Sequence, residues 1–223
     1  MSETAQPAET FVDALVEEMT QLFDRLEERQ TLEAESEGDV AVVTLLKLAM
    51  QSEVEAAELA GSWIASTPEH DVKAMFAQQA ADEMKHYEMI RSRLLELGET
   101  ETSLEPTSQR SALYQYLLTL RSTPERIAAG PFAREAVAEV RNRQFIEFCE
   151  EVGDERTRSM YTDVIQPEEI EHHRSGRTLL ERYALSAEDQ RRSLEAMRTS
   201  LAIADELSTL AENATGLRPI PVS

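Results

Sequence analysis

Two short stretches decide how this chain is read: Glu83-Met84-Lys85-His86 and Glu169-Ile170-Glu171-His172. Each places a glutamate three residues before a histidine. On a helix, positions i and i+3 project from one face, so a single turn presents a carboxylate and an imidazole to the same point. Thirty residues upstream of each motif glutamate stands another glutamate, Glu53 before Glu83 and Glu139 before Glu169. The offset between the two sets is 86 throughout: 53 to 139, 83 to 169, 86 to 172. That is a weak internal repeat carried by residues able to do chemistry. The chain holds 34 glutamates, so a Glu three before a His is not rare, and either motif alone fits a salt-bridged surface. The shared spacing is harder to obtain by accident.

Outward from these motifs the sequence is helical. Glu, Ala, Leu, Arg and Met dominate, and alternating β patterns are almost absent. Phe11, Leu15, Met19, Leu22 and Leu26 mark the apolar face of an N-terminal helix over residues 8–33, which the acidic run Glu33 to Asp39 ends. A first helix pair occupies 40–97. Thr67 is the expected N-cap of its second helix, Pro68 its first position and Gly98 its stop. Residues 98–130 form a crossover with a short helix near Ser111 to Leu120. A second pair occupies 131–183, opening at Pro131 and turning at Gly153. A C-terminal helix over 186–213 opens on the Ser186-x-x-Asp189 pattern, and 214–223 is an extended tail.

Each motif falls on the second helix of its pair, and Glu53 and Glu139 fall on the first. All lie on apolar stripes. Glu53 follows Leu46 and Met50, Glu83 and His86 lie between Phe76 and Ile90, Glu139 follows Phe132 and Ala136, and Glu169 follows Ile165. An ionised carboxylate on an apolar face is costly unless something neutralises it. Two divalent cations would neutralise four carboxylates. Four Glu and two His form a hard, oxygen-rich donor set that suits iron or manganese better than zinc or copper.

Three points qualify the ligand register. Glu135, one turn before Glu139, is its rival. Pro167 removes a backbone donor two residues before Glu169 and predicts a kink or restart, which leaves open whether Glu168, Glu169 or Glu171 faces inward. His173 points about a third of a turn from His172 and is expected in an outer or surface role. Trp63, Tyr87, Tyr161 and Cys149 are candidates to line the site or plain core. His70 is expected at the surface, and Glu147, Glu150 and Glu151 on a solvated face.

This pattern resembles the ferritin-like di-iron carboxylate superfamily, in which two helices each give one Glu and two others each give a Glu-x-x-His. The resemblance covers Val40 to about Tyr183. It implies an all-α, ferritin-like four-helix bundle of two antiparallel helix pairs with a long crossover and extra N- and C-terminal helices, within a single domain over 1–223. It implies Glu53 and Glu139 as single-Glu ligands, Glu83 and Glu169 as motif carboxylates and His86 and His172 as nitrogen ligands. The implied cofactor is two iron ions, with manganese as the alternative. The implied activity is O2-dependent oxidation or hydroxylation of an unidentified small molecule, fed by a ferredoxin-like or flavoprotein electron donor. The alternative is a rubrerythrin- or ferritin-like ferroxidase or peroxide scavenger that takes H2O2 or O2. A rubredoxin-bearing form is excluded, because the single Cys149 cannot build a four-cysteine iron site.

Composition agrees with these readings. The formal net charge of −21, from 43 acids against 22 bases, repels nucleic-acid backbones. No apolar run approaches the roughly 20 residues that span a bilayer. The start, Met1-Ser2-Glu3-Thr4, lacks the basic and apolar regions of a secretory leader, so a cytoplasmic protein is expected. A homodimer is the default assembly.

Overall fold

In the computed structural model, residues 4–27, 38–105 and 109–215 are described. The expected end of the N-terminal helix past Glu27, its acidic break and the tail lie outside these residues. No strand occurs among the described residues. The helices are α1 (Ala8–Glu27), α2 (Gly38–Ile64), α3 (His70–Glu96), α4 (Ala112–Leu117), α5 (Thr123–Ile127), α6 (Glu135–Val152), α7 (Glu155–Met160), α8 (Gln166–Tyr183) and α9 (Ala187–Thr215). A 3-10 turn covers Glu101–Leu104, and π-helical stretches cover Ala128–Arg134 and Tyr161–Ile165.

The chain forms two compact units. One comprises Met1–Glu33, Thr119–Arg141 and Glu169–Ser223, and the other comprises Ala34–Leu118 and Asn142–Glu168. We call them the terminal and the central unit.

The central unit is built on α2 and α3. Three contacts show that the two run antiparallel. Trp63 meets Phe76 with ring centroids 5.1 Å apart, Glu53 faces His86, and Lys47 pairs with Glu99. Leu46, Ala56, Ala60, Phe76, Ile90 and Leu94 are buried along this pair. Full burial of side chains of this size stabilises by roughly 1.5–3 kcal/mol each for the larger ones. Gly98 ends α3 with φ +97, and Gly153 follows α6 with φ +76. At each, the next amide reaches back to close a Schellman turn: Glu99 N donates to Leu94 O and Asp154 N to Cys149 O. Glycine occupies both places because a left-handed residue with a Cβ is strained.

The start of α3 differs from expectation. Its N-cap is Glu69, not Thr67. Thr67 instead donates its hydroxyl to the Trp63 carbonyl at 2.9 Å, closing the end of α2. A buried hydroxyl that satisfies an orphan carbonyl of one helix is not available to cap the next.

In the terminal unit, α9 packs on α5 and on the π-helical stretch Ala128–Arg134. The helical run leading into α6 begins at Thr123 rather than near Pro131. Ser122 caps it in a capping box with Glu125, and Pro124 occupies the first turn. Pro131 lies inside the π stretch. A proline removes one backbone donor and crowds the preceding turn, and a wider turn accommodates both. Pro167 behaves alike. The π stretch Tyr161–Ile165 precedes it, and the α-helix restarts at Gln166 and runs through it to Tyr183. Gly176 of α8 meets the other π stretch closely: a Cβ there would lie 2.7 Å from the Pro131 carbonyl carbon and 2.8 Å from the Phe132 amide nitrogen. Ser186 accepts from the Asp189 amide at 3.0 Å, so α9 opens as its sequence indicates.

Candidate metal centre

Each unit carries one buried group of two carboxylates and an imidazole. In the central unit the group is Glu53 from α2 with Glu83 and His86 from α3. In the terminal unit it is Glu135 from α6 with Glu169 and His172 from α8. Within each group, one potential ligand atom per residue lies within 4.8 Å of the others. All six residues are buried, with Glu83, His86 and Glu135 at 0% exposure.

The local sequence explains the central group. Glu83 and His86 share a face because they are three apart, and His86 Nδ1 stands 3.6 Å from Glu83 Oε2. The antiparallel register of α2 brings Glu53 Oε2 to 3.7 Å from the same nitrogen. The other ring nitrogen, Nε2, lies 2.8 Å from Glu168 Oε2. Glu168 in turn forms an ion pair with Lys85. Gln79, buried one turn before Glu83, donates to its Oε1 at 3.4 Å. A carboxylate on the far nitrogen of a histidine sets its tautomer and its orientation, as the outer partners of metal-binding histidines do.

In the terminal group, His172 Nδ1 lies 3.5 Å from Glu169 Oε2, which repeats the i, i+3 geometry of the first. Glu135 is bound by the residue beside it. Its Oε1 accepts from Arg134 Nη1 at 2.7 Å.

Five of the six residues expected as ligands enter these groups: Glu53, Glu83, His86, Glu169 and His172. Glu139 does not. It is half-buried, and Glu135 one turn earlier stands in the terminal group. Glu135 lies outside the 86-residue repeat, since its counterpart is Ala49. Positions i and i+4 share a helix face, so periodicity cannot separate them. Of the three carboxylates around Pro167, Glu169 turns inward, Glu168 meets His86, and Glu171 is exposed beside Arg174. His173 packs on Phe132 with ring centroids 5.2 Å apart and bonds through Nδ1 to the Phe132 carbonyl at 2.7 Å. Trp63, Tyr87 and Tyr161 are buried core. Cys149 is buried too, and its thiol is pushed up to about 12 by burial, with the Asp154 charge adding to the effect. His70 is exposed.

Lys85 and Arg134 were not legible as part of the site. The signal for each was adjacency: Lys85 lies inside the first motif, and Arg134 directly precedes Glu135.

The donor set fits a hard divalent metal. Two carboxylate oxygens and one imidazole nitrogen per group suit iron or manganese, and a buried pair of carboxylates needs a positive partner. The Ferritin-like domain family matches residues 59–186, more than half of the chain. The chain belongs to this family, and its fold class is the all-α ferritin-like one expected. No curated protein and no solved structure matches the chain. Among the described residues, no helix is long and apolar enough to cross a membrane.

Proposed function

We propose that this protein is a non-haem di-iron oxidoreductase that activates O2 to oxidise an organic substrate. The observation that carries the proposal is the pair of buried Glu–Glu–His groups, each compact enough to hold one cation. Bound iron supplies the electron-transfer chemistry toward O2 that carboxylates and imidazoles lack. That the two ions act as a pair follows from family membership, and it is part of the proposal.

The residues have separate tasks. Glu53, Glu83 and His86 bind one ion, and Glu135, Glu169 and His172 bind the other. Glu168 holds the His86 ring so that Nδ1 faces the two carboxylates. Lys85 keeps Glu168 in place and offsets its charge. Met50, Ala57 and Phe76 in the central unit and Phe132 and Ala136 in the terminal unit are buried and keep water from the ligands. Electrons come from a ferredoxin-like or flavoprotein donor.

A second reading, iron handling or peroxide removal, is favoured by the ferritin-like match and by the net charge of −21, which draws cations to the surface. One experiment addresses both. The protein is loaded anaerobically with Fe(II), its metal content is measured, and its Mössbauer spectrum is followed after O2 or H2O2 is added. We expect two irons per chain and, after oxidation, magnetically coupled ferric ions. Iron absent or bound as isolated ions would sink the di-iron reading. Steady oxidation of many Fe(II) equivalents with ferric product retained would favour the second reading over the first.

A further inference from the structure

Helix α9 carries two buried serines that the metal centre does not use. Ser193 is 0% and Ser200 2% exposed, and neither hydroxyl meets a hydrogen-bond partner among the described residues. A buried hydroxyl without a partner is costly, and nearly every buried polar group in a folded protein has one. A hydroxyl inside a helix commonly turns back to the carbonyl four residues earlier. Thr199, beside Ser200, does this, donating to the Glu195 carbonyl at 2.9 Å. Ser193 and Ser200 hold their hydroxyls away from the carbonyls of their own helix.

The neighbours of α9 show where these hydroxyls lie. All the elements concerned belong to the terminal unit. Helix α9 packs on α5 and on the π stretch Ala128–Arg134. Arg192 marks the flank of α9 toward α5, since its Nε stands 3.3 Å from Glu125 Oε1. Arg198 marks the opposite flank, where it donates to Glu18 of α1. At about 100° per residue, Ser193, Ala196 and Ser200 all fall within about 100° of Arg192 and farther from Arg198. They form a strip of small, buried side chains on the side of α5 and the π stretch. The π stretch contributes Ala128, Ala129 and Ala133, each at 0% exposure. None of these alanines offers an acceptor to a hydroxyl. The acceptors of such a seam are main-chain carbonyls, each of which keeps a second lone pair after its helical bond.

Alanine would fill both places on α9 with a higher helix propensity and no polar group to satisfy. Serine is accounted for by a small polar ligand that joins each hydroxyl to the main chain. We infer that the seam between α9 and the π stretch Ala128–Arg134 is an internal water site, in which the Ser193 and Ser200 hydroxyls each bind one ordered water. Seven residues of helix separate the two serines by about 10 Å, so one molecule cannot serve both. Each water bonds to its serine and donates to carbonyls, within the roughly two to four bonds that a buried water makes. Water is the ligand, and not a larger solute, because the side chains around it are methyl-sized and both serines are sealed from solvent. Its work is to tie α9 to the widened turn that runs into α6. The site stands whether or not the protein binds metal.

A crystal structure of the full chain, at a resolution that orders internal solvent, tests this together with thermal melts. Water is expected within hydrogen-bond distance of each hydroxyl and of at least one main-chain carbonyl. Ser193→Ala and Ser200→Ala should each lose their own water and lower the thermal midpoint by about 2–4 °C, despite the better propensity of alanine. The double variant should lose both waters with nearly additive shifts, since the sites lie about 10 Å apart. Hydroxyls found bare, bonded to the Asp189 or Ala196 carbonyls, or bound to something other than water overturn the inference. So does a midpoint that is unmoved or raised in either variant, because removal of a hydroxyl that binds nothing relieves its burial. The melts need no crystals and decide the matter alone where none grow.

Discussion

Glu135 and Glu139 lie on one face of α6, and a single helical turn separates a fully buried carboxylate from a half-buried one. The structure puts Glu135 with Glu169 and His172, so substitution of the two should have unequal effects. Glu135→Gln should lower metal content by about one equivalent per chain, whereas Glu139→Gln should leave it within error; elemental analysis of the iron-loaded variants decides this. Equal losses would return Glu139 to the ligand set. A second residue-scale prediction concerns Cys149. A thiol is reactive as its thiolate, and burial that pushes this one up to about 12 leaves almost none at neutral pH. Ellman's reagent at pH 8 should find no reactive thiol in the folded protein and one in denaturant. Prompt reaction of native protein would show that Cys149 is reachable.

At the scale of the element, the helix ends and the π stretches carry the local design. Asp154 caps α7 by accepting from the Thr157 amide at 3.0 Å and its hydroxyl at 2.6 Å, and Arg93 donates to the same carboxylate at 2.8 Å. Burial pushes the Asp154 carboxyl up, but the Thr157 and Arg93 hydrogen bonds outweigh it and hold the group below the usual range. A depressed folded-state value means that the stabilisation is complete above the unfolded value near pH 3.9 and is lost as pH falls through the folded one. Asp154→Ala should cost about 1–2 kcal/mol near neutral pH. Urea melts of the two proteins should converge as pH is lowered below about 4. A gap that persists there would assign the loss to packing.

Gly176 is the second element-scale case. Its nearest neighbours are backbone atoms of Pro131 and Phe132, which cannot rotate aside as a side chain can. Gly176→Ala should therefore destabilise by about 1–3 kcal/mol, against the slight gain that alanine brings to an unconstrained helix interior. A raised thermal midpoint in Gly176→Ala would mean that α8 stands off the π stretch.

Across the whole molecule, 43 acids against 22 bases set a self-repulsion that many surface ion pairs relieve only in part. Exposed pairs such as Arg191 with Glu188 and Arg174 with Glu171 contribute little each in water. The net charge acts on the compact state as a whole, and salt screens it. Raising NaCl from about 0.01 to about 1 M, where the Debye length falls from roughly 30 to 3 Å, should raise the thermal midpoint of the metal-free protein. A fall with salt would show that specific ion pairs outweigh the general repulsion.

The all-α class, the helix pairing of α2 with α3, the glycine stops at 98 and 153 and five of the six residues in the two buried Glu–Glu–His groups were legible in the linear chain. Each depends on neighbours within a few residues or on a fixed period, and helical geometry turns such spacing directly into a shared face. The grouping of Glu135 with Glu169 and His172, the π stretches at Ala128–Arg134 and Tyr161–Ile165, the part of Thr67 in closing α2 and the hold of Arg134 on Glu135 came only with the tertiary structure. These depend on how deeply a turn is packed and where a helix widens. Depth of packing and local unwinding are set by the partners a helix meets, which no period in its own sequence records.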